Sequence, residues 1–236
     1  MATPVPRASE QQSAQAGLIV VMLRDLAKVW RLLHPQALDR SLSTWVAGVH
    51  AVVSRYGPMA ATLAADHYDA ARATARAPGR FTVQIPDAPD EQHVDTVMRW
   101  ATKELWGRDA ETLAERVAAA QQKSDAAASK LVTDLARATV TDAVNEDPAA
   151  VGWTRVAKPT ACAFCRLLAT RGGVYTQATV KFRAHDGCSC TAEPVFKGQR
   201  WEPSAHVRQW QAEYRKAAQM KGDTLKNFRR IVEGRA

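Results

Sequence analysis

The sequence predicts a mainly α protein: an N-terminal antiparallel helical bundle, then a small α+β module, then basic helices at the C-terminus. Three observations carry this. Apolar residues recur at three- and four-residue steps through most of the chain up to Asp147-Pro148. All four cysteines fall in one stretch, from Ala161 to Cys190. Lys and Arg gather at the end: residues 197–236 hold ten of them against four Asp or Glu, a net of +6 within a chain whose formal charge is +8. The 236 residues divide into an expected flexible arm (1–15), a helical domain (16–148), a Cys/His module (149–200) and a basic helical tail (201–236).

Met1 to Gln15 is polar and carries Pro4 and Pro6, hence the arm, with Ser9 as the expected cap of the first helix. Leu18, Met22, Leu26, Trp30 and Leu33 define that amphipathic helix, closed by Pro35, and Leu38, Leu42, Trp45, Val49 and Val52 a second. Gly57-Pro58 reads as a stop and a restart, with Met59, Leu63, His67 and Ala71 lining a third helix to about Arg76. Short connections favour an up-and-down bundle. Ala77 to Asp90 holds three prolines and a β-prone run, Phe81 to Ile85, expected as a crossing loop or edge strand.

Helix resumes at Glu91, with Val94, Val97, Ala101 and Leu105 on one face. Asp109 is the expected cap of the next helix, whose Leu113, Val117, Leu131 and Leu135 sit in Ala-rich sequence that ends at Asp147-Pro148. Val151 to Val156 and Glu193 to Phe196 are expected to pair as strands, with a turn at Gly172-Gly173 into a further short strand at Val174-Tyr175. From Ser204 the helical pattern returns through Val207, Trp210, Tyr214 and Ala217. Gly222 stops it, and Leu225, Phe228 and Val232 make a last short helix.

The chemistry concentrates in Cys162-x-x-Cys165 and Cys188-x-Cys190, with His185 three residues before the second pair. Thiolate and imidazole are the ligands zinc prefers, and structural sites take four of them in a tetrahedron. Five candidates for four positions leave one spectator, expected to be Cys188 or Cys190. The stretch has few large apolar residues (Phe164, Leu167, Leu168, Tyr175 and Phe182), too few to offset its chain entropy, so a structural Zn²⁺ acting as a staple is the expectation.

Two disulfides are the main alternative for the four cysteines. A Cys188–Cys190 bridge would be strained, and the apolar run Ala16–Leu23 lacks a basic leader, so a reducing cytoplasm is expected. A thioredoxin-like motif lacks its βαβ frame. A catalytic zinc would need a base such as Glu193 or Asp186, and the nucleobase-deaminase pattern is absent.

Phosphate-loop, dinucleotide and nucleophile-elbow motifs are missing. His50 and Ser54 stand one helical turn apart and Asp66 adjoins His67, which keeps a serine-type protease among the readings. His67 itself reads as a core histidine, and the tryptophans as packing residues. No run reaches the ~18 apolar residues of a membrane span. The basic residues available to phosphate are Arg208, Arg215, Lys216, Lys221, Lys226, Arg229 and Arg230; the bland alternative is a solvated helix face.

Cys162-Ala-Phe-Cys165, Arg171-Gly-Gly-Val-Tyr175 and His185-Asp-Gly-Cys188-Ser-Cys190, followed by Pro-Val-Phe and preceded by a helical region, resemble the MuF-like minor head proteins of tailed bacteriophages, in the form found in actinobacteriophages. Many relatives carry Pro-Asn or a similar pair where this chain has Asp186-Gly187. The resemblance implies a few-copy head protein inside the virion near the portal, made in the host cytoplasm. Its implied partners are the portal or major capsid protein, and genomic DNA or scaffold. Proteins of this look are also labelled capsid maturation protease, which stands as the alternative beside a zinc-dependent nuclease.

Overall fold

The computed structural model describes residues 6–107, 112–173, 175 and 182–234. Its helices are α1 (Pro6–Val29), α2 (Leu38–Thr74), α3 (Glu91–Ala101), α4 (Leu113–Glu146), α5 (Ala163–Ala169), α6 (Ala205–Gln219) and α7 (Thr224–Val232). The strands are β1 (Ala150–Val156) and β2 (Thr191–Phe196). The fold is mainly α, as expected.

α1 begins at Pro6, so the expected arm is helical over most of its length. The physical reason lies in its glutamines. Gln12 and Gln15 are buried; Gln12 Nε2 donates to the Val156 carbonyl of β1 at 3.1 Å, and Gln15 Nε2 to the Ala60 carbonyl of α2 at 3.5 Å. A long amide that finds a backbone acceptor can be buried without an unpaired polar group. Ser9, expected as a cap, therefore lies inside the helix.

α2 runs unbroken through Gly57-Pro58, contrary to the expected stop. A proline inside a helix loses one backbone bond and costs about 3 kcal/mol or more when nothing offsets it. Here the offset is burial along the interface with α4, the largest between any two elements. Gly57 serves that interface: a Cβ there would lie 3.2 Å from Leu135 Cδ2 of α4. Of the expected third-helix face, His67 and Ala71 are buried. Met59 is exposed, while Ala60, Ala61, Ala64 and Tyr68 are fully buried. Small residues at these positions let α2 approach the Ala-rich α4 closely.

α4 starts at Thr112 with a capping box to Glu115; the expected cap, Asp109, lies outside the described residues. α3 is capped by Asp90, whose carboxylate accepts from His93 N at 2.7 Å. Phe81–Ile85 is not a strand. Phe81 instead packs on Tyr68, with ring centroids 5.8 Å apart, and Arg72 holds the carbonyls of Pro78 and Gly79 at 2.6 and 3.0 Å.

The expected strand pair forms. β1 and β2 are antiparallel, from Val156 opposite Thr191 to Ala150 opposite Phe196, with an irregularity near Gly152. Tyr175 adds a single bridge to Trp153; Val174 lies outside the described residues. Both strands lie against α4 and carry the chain from the bundle core to a second core. That second core gathers Cys165, Cys188, Cys190, Val207, Trp210, Ala217 and Phe228, so the basic C-terminal segment folds onto the cysteine module. Trp45, Trp153 and Trp210 pack as expected, whereas Trp100 and Trp106 are about half exposed.

One polar node closes the bundle. Asp147, at the C-terminus of α4, accepts from Arg72 Nε at 2.8 Å, Tyr68 OH at 3.1 Å and Ala149 N at 2.9 Å. Burial pushes the Asp147 carboxyl up, but these donors outweigh it and hold its pKa below the ordinary value. Removing one partner of a buried ion pair strands the other, so Asp147→Asn is expected to cost about 3 kcal/mol in urea unfolding. A depressed carboxyl stabilises the fold above its unfolded pKa of about 4. That contribution fades as pH falls, so the gap between wild type and Asp147→Asn is expected to narrow below about pH 4.

Candidate metal centre

The Cys-x-x-Cys pair is placed by the start of α5. Cys162 is the N-cap, with extended backbone, and its sulfur accepts from Cys165 N at 3.5 Å. Cys165 sits one turn in, so both sulfurs project from the same end of the helix. The second pair arrives through a turn in which Cys188 N donates to His185 O at 3.2 Å. Gly187 occupies the third position of that turn with φ of 73°, a conformation that favours glycine. Here Asp186-Gly187 supplies the sharp turn that swings His185 back over Cys162.

All five predicted ligands converge. His185 Nε2 lies 2.9 Å from Cys162 Sγ, and Cys188 Sγ lies 3.3 Å from Cys165 Sγ. Cys162, Cys165 and His185 form one set with ligand atoms within 4.8 Å of one another; Cys165, Cys188 and Cys190 form a second. Cys165 belongs to both. Tetrahedral zinc with bonds of about 2.3 Å sets its ligands about 3.8 Å apart, so these residues fit a metal ion. His185 Nδ1 lies 2.8 Å from the Asp186 carbonyl, where donation frees Nε2 to face the sulfurs, the usual arrangement for a ligating histidine. All four cysteines are free thiols.

Hydrogen bonding and burial set the three buried thiols apart. Hydrogen bonds to Cys188 and Cys190, together with burial, hold the Cys165 thiol far above its ordinary range. Cys188 is driven down because it accepts from both neighbours. Cys190 is pulled down by Cys165, but the charge on Cys188 and burial push it up to about 12. When zinc is bound, it supplies the positive charge that lets several thiolates sit together out of water.

Two buried arginines that the sequence reading did not single out complete the surroundings. Arg137 of α4 donates from Nε to Cys190 O at 3.0 Å and from NH2 to Cys188 O at 2.5 Å. Arg155 of β1 donates to Arg183 O at 2.7 Å and points NH1 at Cys165 Sγ, 3.8 Å away. Both guanidinium groups lie over the Phe182 ring, at 5.1 and 3.8 Å from its centroid. A signal for Arg155 was present: it stands two residues from Trp153, hence on the same strand face.

The other predicted residues fall apart spatially and chemically. His50 Nε2 and Ser54 Oγ are 3.3 Å apart, but among the described residues no carboxylate is hydrogen-bonded to that imidazole. His67 is buried against Glu193, Nε2 to Oε2 2.5 Å, which bears out its core role and removes Glu193 as a free base at the sulfur cluster. Arg208, Arg215 and Lys216 on α6, Lys221 after it, and Lys226, Arg229 and Arg230 on α7 are all exposed. Arg229 is paired with Glu233 at 2.9 Å. Among the described residues no helix is long and apolar enough to cross a membrane.

The VG15 protein family model matches residues 2–217, spanning the bundle, the strands and the whole cysteine cluster. The chain belongs to the VG15 protein family. Membership marks this VG15 chain as a phage protein, and residues 221–230 of its basic segment lie beyond the matched region. No curated protein and no solved structure matches it.

Cys165→Ala, which removes the ligand common to both sets, is expected to abolish stoichiometric zinc binding in protein purified under reducing conditions. Of Cys188→Ala and Cys190→Ala, one is expected to retain zinc within about tenfold of wild-type affinity, and competition with a chromogenic chelator identifies the spectator. Stripping the metal is expected to raise hydrogen exchange in α5, α6 and α7 while the α2–α4 interior stays protected.

Proposed function

We propose that this phage protein is a minor head component of the MuF-like type, docked at the portal or coat through its helical bundle and held by a structural zinc. The observation that carries the reading is the convergence of Cys162, Cys165, His185, Cys188 and Cys190, the residues on which the resemblance rests. Membership of a phage family agrees with it. A staple also suits the local chemistry, because the module has little apolar area of its own. In this reading the chain acts in the head interior, near the portal, as a structural part with no reaction to catalyse.

The seven exposed basic residues support contact with packaged DNA or an acidic scaffold. Phosphate contacts by Lys and Arg are sequence-independent and weaken steeply with salt. The capsid maturation protease remains the second reading, favoured by the 3.3 Å His50–Ser54 approach. It lacks the carboxylate that would orient the histidine among the described residues.

Cryo-EM of purified virions carrying a tagged chain is expected to place a few copies at the portal vertex; absence from the mature particle would overturn the assignment. Deleting residues 197–236 would remove Trp210 and Phe228 from the second core, so DNA binding is better tested by substitution. Replacing Arg215, Lys216, Lys221 and Lys226 with Gln is expected to lower DNA retention at low salt and to reduce the salt slope by roughly one for each phosphate left without its cation. Coat and scaffold cleavage that disappears in both Ser54→Ala and His50→Ala would favour the protease instead.

A further inference from the structure

Arg155 poses a problem in buried charge. Its residue is 3 % exposed, and among the described residues no carboxylate pairs with it. Its Nε is buried without a hydrogen-bond partner. The carboxylates Asp134 of the flanking α4 and Glu193 of β2 are engaged elsewhere. Arg137 has Asp134 at 2.6 Å, Asp134 is also bound by Lys130 at 2.5 Å, and the buried carboxylate of β2, Glu193, is engaged by His67. Arg155 faces the Cys165 sulfur at 3.8 Å, the Arg183 carbonyl and the face of Phe182 at 3.8 Å. An aromatic face and a carbonyl solvate a cation but do not neutralise it. A buried charge without a counter-charge is costly.

The sulfur cluster supplies the missing anion. A divalent ion held by three thiolates and a neutral imidazole carries a net charge of −1; four thiolates would leave −2. We infer that Arg155 is a buried counter-charge of the metal centre and a determinant of its affinity. Arg155 is a positioning residue here: it contacts a ligand sulfur, not the ion. It also links the centre to the bundle, because Phe182, which it covers, stacks on Trp153 at 5.2 Å, and Trp153 stacks on Tyr175 at 4.5 Å. The inference rests on the metal centre proposed above.

The test uses the full chain, purified under reducing conditions and loaded with Co²⁺, whose thiolate charge-transfer band reports the ligand set. Arg155→Gln removes the charge, and Arg155→Lys keeps it without the planar fork. Arg155→Gln is expected to weaken Co²⁺ by about 10- to 100-fold in chelator competition and to shift the charge-transfer band. Arg155→Lys is expected to recover at least tenfold of a hundredfold loss. Affinity within twofold of wild type in Arg155→Gln, or equal loss in both variants, overturns the inference and leaves the metal centre standing. A wild-type chain that takes up no Co²⁺ overturns both. Should Arg155→Gln fail to fold, Arg155→Met, which keeps the aliphatic stem without the charge, takes its place against Arg155→Lys with the same outcomes.

Discussion

The fold depends on how it satisfies the carbonyls and sulfurs buried between its two cores. Arg137 reaches from α4 to the carbonyls of Cys188 and Cys190, and Arg155 reaches from β1 to Cys165 and to Arg183 O. These bonds tie the cysteine module to the bundle through side chains that cannot give up their charge. Hydrophobic burial alone would be non-directional here. The forked guanidinium groups instead fix the distance and angle at which the sulfur hairpin meets the helices. Phe182, which packs against both cores, fills the space between them.

The same constraint explains why the basic C-terminal helices are part of the fold. α6 and α7 cover the cysteine cluster with Val207, Trp210, Ala217 and Phe228, while their cations stay in water. Leu225 and Phe164 remain exposed beside Cys162 and His185, the solvent-facing edge of the site. One pair of helices thereby has two roles, a lid over the sulfurs and a display of charge. A substitution at a basic position spares the lid, whereas a truncation removes it.

Much of this was legible in the sequence, and the failures have physical causes. Periodicity located α2, α3, α4 and α6, because Trp45, Val94, Leu131 and Trp210 bury large side chains at helical steps. In the second half of α2 it placed His67 and Ala71 correctly on the buried face but missed Ala60, Ala61 and Ala64 and included Met59, which points outward. Alanine carries little hydrophobic signal, yet it is what close helix packing requires. Pro58 was over-read, since tertiary burial outweighed a local breaker. The N-terminal glutamines were under-read, since nothing local tells that Gln12 will meet the Val156 carbonyl 144 residues away. The metal ligands were readable because their spacing encodes their geometry. Arg137 and Arg155 were harder to see, because a lone arginine in the sequence does not announce whom it will face.

That asymmetry bears on what kind of site this is. A reaction centre needs an open coordination position and a free base beside it. Here Glu193 is committed to His67, Asp186 stays exposed beside His185, and Cys165, Cys188 and Cys190 are enclosed by the strands, α4 and the C-terminal helices. Among the five candidate ligands, Cys162 and His185 meet solvent. The charges around the cluster are arranged to hold thiolates in place, with two arginines fixed by hydrogen bonds on the buried side and a glycine turn on the exposed one. Under the proposed structural role, an ion there would be taken up as the module folds and would be reached from the Cys162–His185 edge.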